Sequence, residues 1–181
     1  MYEWLLLIGI VIVILVLVSI SYYNRIRVLG NRIEEAWAQI DVQLRKRYDL
    51  VPNLVETVKG YASHERGIFE SIAAARAGMV TGSPQGRMAA SNALSGALRQ
   101  LFAVAEAYPD LKAAENFKLL QEQLEGIENK LAYARQFYNS SVLQFNNLIT
   151  TIPGVWFAGG RQKHEFLEIP EESREVPKVE F

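Results

Sequence analysis

The chain contains no cysteine and only two histidines among its 181 residues. The absence of cysteine excludes disulfide bonds, thiol nucleophiles and cysteine metal sites, and two histidines leave little for a histidine-based site. Beyond residue 24 the charge is balanced, because all 19 basic residues remain and the 20 acidic ones lose only Glu3. A neutral domain without a basic stripe argues against nucleic acid as a partner, since such binding depends on neutralising phosphates.

Charge is also absent from Trp4 to Asn24, a run of 21 residues. At 1.5 Å per residue, about 20 apolar residues cover the roughly 30 Å core of a bilayer. A buried core helix is a poor alternative, because the run leaves no face for solvent. A cleaved signal peptide is disfavoured, since the first residues (MYEW) lack a basic side chain and the run ends in SISYY. The sequence therefore predicts a transmembrane anchor over residues 1–24.

The residues that flank this run predict its orientation. Trp4 at one end and Tyr22 and Tyr23 at the other suit the two membrane–water interfaces, where aromatic rings lie at headgroup level. Positive charge in short flanks is retained on the cytoplasmic side. The basic residues of the C-terminal flank are Arg25, Arg27 and Arg32. We therefore expect the N-terminus outside, the bulk of the chain in the cytoplasm and membrane lipids as a partner.

Apolar residues past the anchor recur at helical spacing, and no alternating strand pattern of useful length appears. The predicted fold class is all-α. An N-terminal transmembrane helix precedes an antiparallel four-helix bundle with long helices over residues 25–152, and an irregular C-terminal tail follows over residues 153–181. The tail is either a disordered end or a segment whose aromatic pairs dock on the bundle or at the membrane interface.

The segment around Pro52 permits two interpretations. In one, Asp49 caps a new helix with Pro52 in its first turn, where the missing N–H is harmless. In the other, Pro52 only kinks one long helix, which the phase of the surrounding apolar residues allows. We favour the first, because it gives helices of about 26 and 27 residues that match as antiparallel neighbours.

Turn residues predict the remaining boundaries. The second helix runs to about Met79, before the turn over residues 81–86. An alanine-rich third helix ends before a corner at residues 108–110, where Asp110 is the expected N-cap of the last helix. That helix is about 40 residues long and ends at Pro153. Its apolar stripe comprises Phe117, Leu120, Leu124, Ile127, Leu131, Ala134, Tyr138, Val142, Phe145, Ile149 and Ile152.

Known catalytic and metal-binding motifs are absent from the sequence. There is no Glu-x-x-His pair of a di-iron bundle, no zinc-protease helix, no Gly-x-Ser-x-Gly elbow and no phosphate-binding glycine loop. The acidic residues Glu122, Glu125 and Glu128 are expected on a solvated face. The sequence therefore predicts a protein that is not an enzyme, with no catalytic residue, metal or cofactor.

Polar residues inside otherwise apolar helical segments are the remaining candidates. Such residues form either hydrogen-bonded pairs that fix helix register or a surface for a ligand or partner. The candidates are Asp41, Arg45, Arg47, Asp49, Glu106, Asn139 and Asn146.

Three blocks of the sequence resemble the LemA family of bacterial membrane proteins. They are EAWAQIDVQLRKRYDLVPNLVETVKGYASHE (35–65), AEAYPDLKA (105–113) and ARQFYNSSVLQFNNLITTIPG (134–154). The resemblance implies an N-terminal membrane helix, an external N-terminus and a cytoplasmic or periplasmic four-helix bundle, and it implies no catalytic residues. A protein that takes part in forming membrane organelles in magnetotactic bacteria also resembles the family, which favours a role in membrane organisation.

The predicted function is a non-catalytic scaffold at the bacterial inner membrane that organises partners or membrane and self-associates. Self-association is inferred from the last helix, about 60 Å long, whose apolar stripe exceeds what the shorter helices cover. One alternative is an enzyme or regulatory subunit acting with a membrane protease, with the charged candidates around an open cleft. Another is a lipid or cargo binder, with an elongated apolar cavity between helices. The protein partners are not predicted.

The orientation is tested by a single cysteine at position 2, Tyr2→Cys, in a chain that has no other. We expect a membrane-impermeant maleimide to label this variant in intact cells, because the N-terminus lies outside. The control is the labelling of the same variant in lysed cells, where the reagent reaches the cysteine on either side of the membrane. Protection in intact cells with full labelling after lysis would contradict the prediction.

Overall fold

The structure is a computed structural model that describes residues 2–62 and 64–168. These residues form helices and connecting segments without any strand, which confirms the all-α prediction. The helices are α1 (Glu3–Lys59), α2 (Arg66–Ala77), α3 (Pro84–Ala105), α4 (Pro109–Ala113), α5 (Glu115–Thr150) and α6 (Gly154–Phe157).

Two compact units divide the chain, and both long helices contribute to each. The anchor unit comprises Met1–Trp37 and Gln136–Phe166. Of the described residues, the bundle unit comprises those of Ala38–Arg135 together with Leu167 and Glu168. The division into segments 1–24, 25–152 and 153–181 stays a prediction.

Helix α1 carries the uncharged run and continues beyond it for a total of 57 residues. At 1.5 Å per residue this helix is about 85 Å long. Among the described residues, α1 is the one helix long and apolar enough to cross a membrane, and none of its most apolar window is buried inside the protein. The described residues therefore contain one candidate membrane span, near the N-terminus.

The favoured interpretation of Pro52 is wrong, because α1 continues through it to Lys59. A proline at position 52 removes the N–H that would bond to the carbonyl oxygen of Tyr48. In the structure, Arg76 of α2 supplies the missing donor, with its Nε 2.9 Å from that oxygen. The Arg76 guanidinium also lies 3.6 Å from the centroid of the Tyr48 ring. A side chain from another helix thus compensates for the proline, and Asp49 caps nothing.

Two other predicted boundaries are also wrong. The second helix was expected to reach Met79 unbroken, but the chain leaves helical geometry after Lys59 and starts again at Arg66. Lys59 followed by Gly60 is a common helix stop, with a basic last turn and a glycine just beyond it. At the later corner the N-cap of α4 is Tyr108, and Asp110 lies inside the first turn.

The last long helix, α5, is 36 residues long and ends at Thr150. Eight of the eleven residues in its predicted stripe are buried, so the expectation of an uncovered apolar stripe is wrong. The buried members are Phe117, Leu124, Leu131, Ala134, Tyr138, Val142, Phe145 and Ile149.

The bundle unit has a core to which α1, α2, α3 and α5 all contribute. Its residues follow helical spacing, so that one face of each helix turns inward. Phe102 of α3 and Phe117 of α5 meet edge to face, with ring centroids 6.1 Å apart. The largest fully buried side chains of this unit are Ile40, Leu44, Leu54, Ile72, Met79, Met88, Leu94, Leu101, Leu111, Leu131 and Leu167.

In the anchor unit, α1 pairs with the C-terminal part of α5. Trp37 meets Tyr138 edge to face at 6.3 Å between ring centroids. Nearer the membrane span, the Phe145 ring lies 3.8 Å from the point where a Cβ on Gly30 would be. The residue numbers fall on α1 as they rise on α5, so the two helices run antiparallel.

The segment that follows α5 folds back against it within the anchor unit. Gly154 is required at the turn, because a Cβ there would lie 1.9 Å from the Leu148 carbonyl oxygen. The side chain of Asn146 then donates to the His164 carbonyl at 2.8 Å and accepts from the His164 N–H at 2.9 Å. The described part of the predicted tail is therefore docked, and residues 169–181 lie outside the described residues.

The role of Arg76 is tested by a double-mutant cycle with Pro52. Arg76→Met leaves the Tyr48 carbonyl without its donor, which lowers the free energy of unfolding by about 1–2 kcal/mol. In a Pro52→Ala background the residue 52 N–H takes over, so the same change costs less. Equilibrium unfolding of the intact protein in detergent micelles measures both values. Equal losses in the two backgrounds would contradict the compensation.

Candidate functional site

The most deeply buried charge of the bundle unit is Arg47, whose side chain is 3% exposed. Its Nη1 lies 2.7 Å from Oε2 of Glu128 on α5 and donates to the Ser91 hydroxyl on α3 at 3.0 Å. Its Nη2 donates to the Ser95 hydroxyl, also on α3, at 2.9 Å. One guanidinium of α1 therefore joins two other helices.

Helix α3 accepts this guanidinium because it presents two small hydroxyl residues one turn apart. Ser91 is fully buried, and Ser95 also bonds back to the Ser91 carbonyl at 3.2 Å. Serine at these positions provides both the space and the acceptors that a buried arginine requires. Burial lowers the pKa of Arg47, while the carboxylate of Glu128 acts in the opposite direction.

A second buried guanidinium, that of Arg135, is close enough for its charge to lower the pKa of Arg47. Arg135 is 6% exposed and donates from Nη2 to the Asn92 side-chain oxygen at 3.3 Å. Burial lowers the pKa of Arg135 as well, and Glu128 again opposes the shift. Among the described residues, Arg47 Nε and Arg135 Nε are buried without a hydrogen-bond partner. Two guanidiniums therefore share one carboxylate, and the cluster carries excess positive charge.

An open cleft of about 420 Å³ borders this cluster. Its lining combines seven polar and three apolar side chains, which is unlike the enclosed, mostly apolar cavity of a lipid carrier. The lining residues are Arg47, Asn92, Ser95, Leu98, Arg99, Phe102, Gln121, Leu124, Glu125 and Glu128. Within residues 2–62 and 64–168 no group of three or more histidine or carboxylate side chains is placed to hold a metal ion.

The seven predicted polar candidates do not come together. Asp41 pairs with Arg87 of α3, and Glu106 pairs with Lys112, which is exposed. Arg45 is exposed, and Asp49 lines a second cleft of about 490 Å³ on the bundle unit. In the anchor unit, Asn139 is half-buried and Asn146 binds the backbone of His164. Arg47 is the one candidate that belongs to the buried cluster.

The predicted anchor residues lie along α1 in the anchor unit. Trp4 is exposed, as are the basic side chains of Arg25 and Arg32. The Tyr22 ring stacks on Phe157 of α6, with centroids 5.4 Å apart. Two guanidiniums flank the Tyr23 ring, that of Arg27 at 5.8 Å and that of Arg161 at 5.7 Å from its centroid.

Sequence reasoning missed most partners of Arg47. Glu128 was assigned to a solvated face, yet its side chain is 41% exposed and its carboxylate pairs with a buried arginine. Ser91 and Ser95 were not singled out, although two serines at i and i+4 in a helix rich in alanine and leucine are a visible signal. Arg135 lies two turns after Glu128 on α5 and was likewise not singled out.

The sequence of the chain is similar to those of known proteins. The model of the LemA family matches residues 36–181. Magnetosome protein MamQ of Magnetospirillum gryphiswaldense is 24% identical over 163 residues, which cover 75% of this chain and 60% of that protein. Magnetosome protein MamQ 2 of Paramagnetospirillum magneticum is 23% identical over 178 residues, which cover 82% and 65%. The chain spans less than two thirds of the length of these relatives.

The Arg47 cluster makes a sharp prediction about stability. Glu128→Gln leaves a buried guanidinium without its counter-charge, so we expect the free energy of unfolding to fall by about 2–3 kcal/mol. Arg47→Met in the same background removes the charge, and part of the loss is recovered.

Glu122→Gln, an exposed change on the same helix, is the matched control, with an expected effect within about 0.5 kcal/mol. Denaturant unfolding of the intact protein in micelles measures all the variants. If Glu128→Gln behaved like Glu122→Gln, the pair would have no structural role.

Proposed function

The chain belongs to the LemA family, and from that premise we propose that it is a non-catalytic scaffold anchored at the bacterial inner membrane. It is a membrane-associated helical protein with one candidate span near its N-terminus. The scaffold organises protein partners or lipid next to that span. Its N-terminus lies outside, and its bundle unit lies in the cytoplasm.

The main observation in support of this proposal is that the buried charges of the bundle unit bind groups on neighbouring helices. Arg47 binds Glu128, Ser91 and Ser95 of the neighbouring helices, so its donors join helices to one another. Nucleophilic or acid–base catalysis requires a different arrangement, in which a nucleophile and an oriented base converge on one open position. The paired charged candidates support a structural role over a catalytic one.

A contact surface for partners is available on the outer side of α5 in the bundle unit. Leu119 is 51% exposed and Tyr133 is 75% exposed. They are separated by 14 residues, which is close to four helical turns, so they lie on nearly the same face. They lie about 21 Å apart along the helix, with the polar Gln123 and Lys130 between them, so they are two separate exposed contact points and not one apolar patch. Self-association uses these two positions of α5.

The relatives add support for a membrane role. Both are named as magnetosome proteins, and we carry over from them a place among proteins that organise a bacterial membrane. The clefts of the bundle unit do not favour a lipid carrier as a second function, because their linings mix charged and apolar side chains.

Photo-crosslinking in native membranes tests the scaffold. A photoreactive amino acid at position 119 or 133 is expected to give discrete adducts on irradiation, because these side chains face a partner. The same group at position 70, an exposed site on α2, is the control and should give none.

Expression of two differently tagged copies of the protein in one cell distinguishes adducts between copies of this chain from adducts with another protein. Adducts that carry both tags support self-association, and adducts of other mass support another protein partner. Absence of any adduct at positions 119 and 133 would contradict the scaffold at this surface.

A further inference from the structure

The apolar side chains just after α5 remain in solvent although the chain there is folded. Ile152 is 74% exposed, Trp156 is 70% exposed and Val155 is 43% exposed. They lie on and beside α6, next to the glycine turn at Gly154. We call these three residues the interfacial patch. Three large apolar side chains within five residues form a cluster that water does not favour.

The position of α6 along the membrane span is fixed by a ring contact. Phe157, the last residue of α6, stacks on Tyr22 at 5.4 Å between centroids and an interplanar angle of 22°. Tyr22 follows Trp4 by 18 residues on the same helix, which is about 27 Å at 1.5 Å per residue. That distance is close to the roughly 30 Å thickness of the hydrocarbon core. The patch therefore lies at the level where the span leaves the membrane.

The charges around the patch are of one sign. Residues 19–33 and 151–164 contain no aspartate or glutamate. Their basic residues are Arg25, Arg27, Arg32, Arg161 and Lys163. Arg161 is held close to the span by its contact with the Tyr23 ring at 5.7 Å. Positive charge on both segments, together with an exposed tryptophan, complements anionic headgroups and the acyl boundary beneath them.

We propose that the interfacial patch is a second membrane contact, in which Trp156, Ile152 and Val155 insert into the headgroup–acyl boundary of the bilayer beside the span. Tryptophan prefers this boundary because its ring is apolar and its N–H is polar. The Gly154 turn and the Phe157–Tyr22 stack hold the patch against α1. The membrane thereby holds the anchor unit through two segments, α1 and α6. The proposal rests on the membrane anchoring of the proposed function.

Fluorescence of Trp156 provides the main test. The variant Trp4→Phe with Trp37→Phe leaves Trp156 as the one tryptophan of the three. The full chain is reconstituted into vesicles of phosphatidylethanolamine and phosphatidylglycerol that contain lipids brominated at shallow or deep acyl positions. We expect shallow bromines to quench Trp156 more than deep ones, and iodide quenching to fall about threefold against a water-exposed tryptophan.

A matched control places the tryptophan elsewhere on the same chain. Glu70→Trp with Trp4, Trp37 and Trp156 all replaced by phenylalanine puts it at an exposed site on α2, away from the proposed partner surface. Iodide should quench this control, and brominated lipid should not. If iodide quenched Trp156 as it does the control, the proposal would be overturned. Protection from iodide without quenching by lipid would also overturn it, because another protein surface would then cover the patch.

A second measurement does not depend on the tryptophan replacements. A nitroxide on Ile152→Cys, the one cysteine of that variant, reports relative access to oxygen and to a water-soluble nickel chelate. We expect oxygen access to dominate in vesicles, and dominance of nickel access would contradict insertion. Retention in the vesicles after alkaline carbonate reports the span separately. A retained protein with a water-exposed position 152 would overturn the patch proposal and leave the anchored scaffold intact.

Discussion

The structure depends on one continuous helix, α1, which carries the candidate membrane span and extends into the bundle unit. Helix α1 is 57 residues long and is interrupted neither where the uncharged run ends nor at Pro52. Continuity through the proline requires an external donor for the Tyr48 carbonyl, which Arg76 provides at 2.9 Å. Because the donor comes from α2, the backbone of α1 is complete only when the bundle unit is folded.

The buried charges of the bundle unit also join helices to one another. Arg47 lies between α1, α3 and α5, and its bonds to Glu128 and to two serines fix the register of the three helices. A buried ion pair adds little net stability compared with apolar packing, but breaking it is costly, so it disfavours other registers. The excess positive charge from Arg135 makes Glu128 the residue on which the cluster depends.

The helices could be predicted from the apolar pattern of the sequence. The contacts between residues far apart in the sequence could not. The stripe on α5 was predicted because period 3.6 is a local property, and Phe117, Leu131 and Ile149 are buried as expected. Pro52 was misread because the compensating donor lies 28 residues away. Glu128 was misread because its partner, Arg47, is far away in sequence and on another helix. The stop at Lys59 and Gly60 was readable from the sequence, because a basic last turn followed by glycine is a common helix end, but it was missed.

Amide hydrogen exchange of the intact protein in lipid nanodiscs tests the continuous helix most directly. For a continuous α1 we expect one block of slow exchange over residues 20–58, without a fast segment either at residues 24–32 or on the two sides of Pro52. Fast exchange confined to residues 24–32 would show that the span and the bundle are separate helices. Fast exchange over residues 49–54 would show that Pro52 ends the helix, and either result would contradict the account.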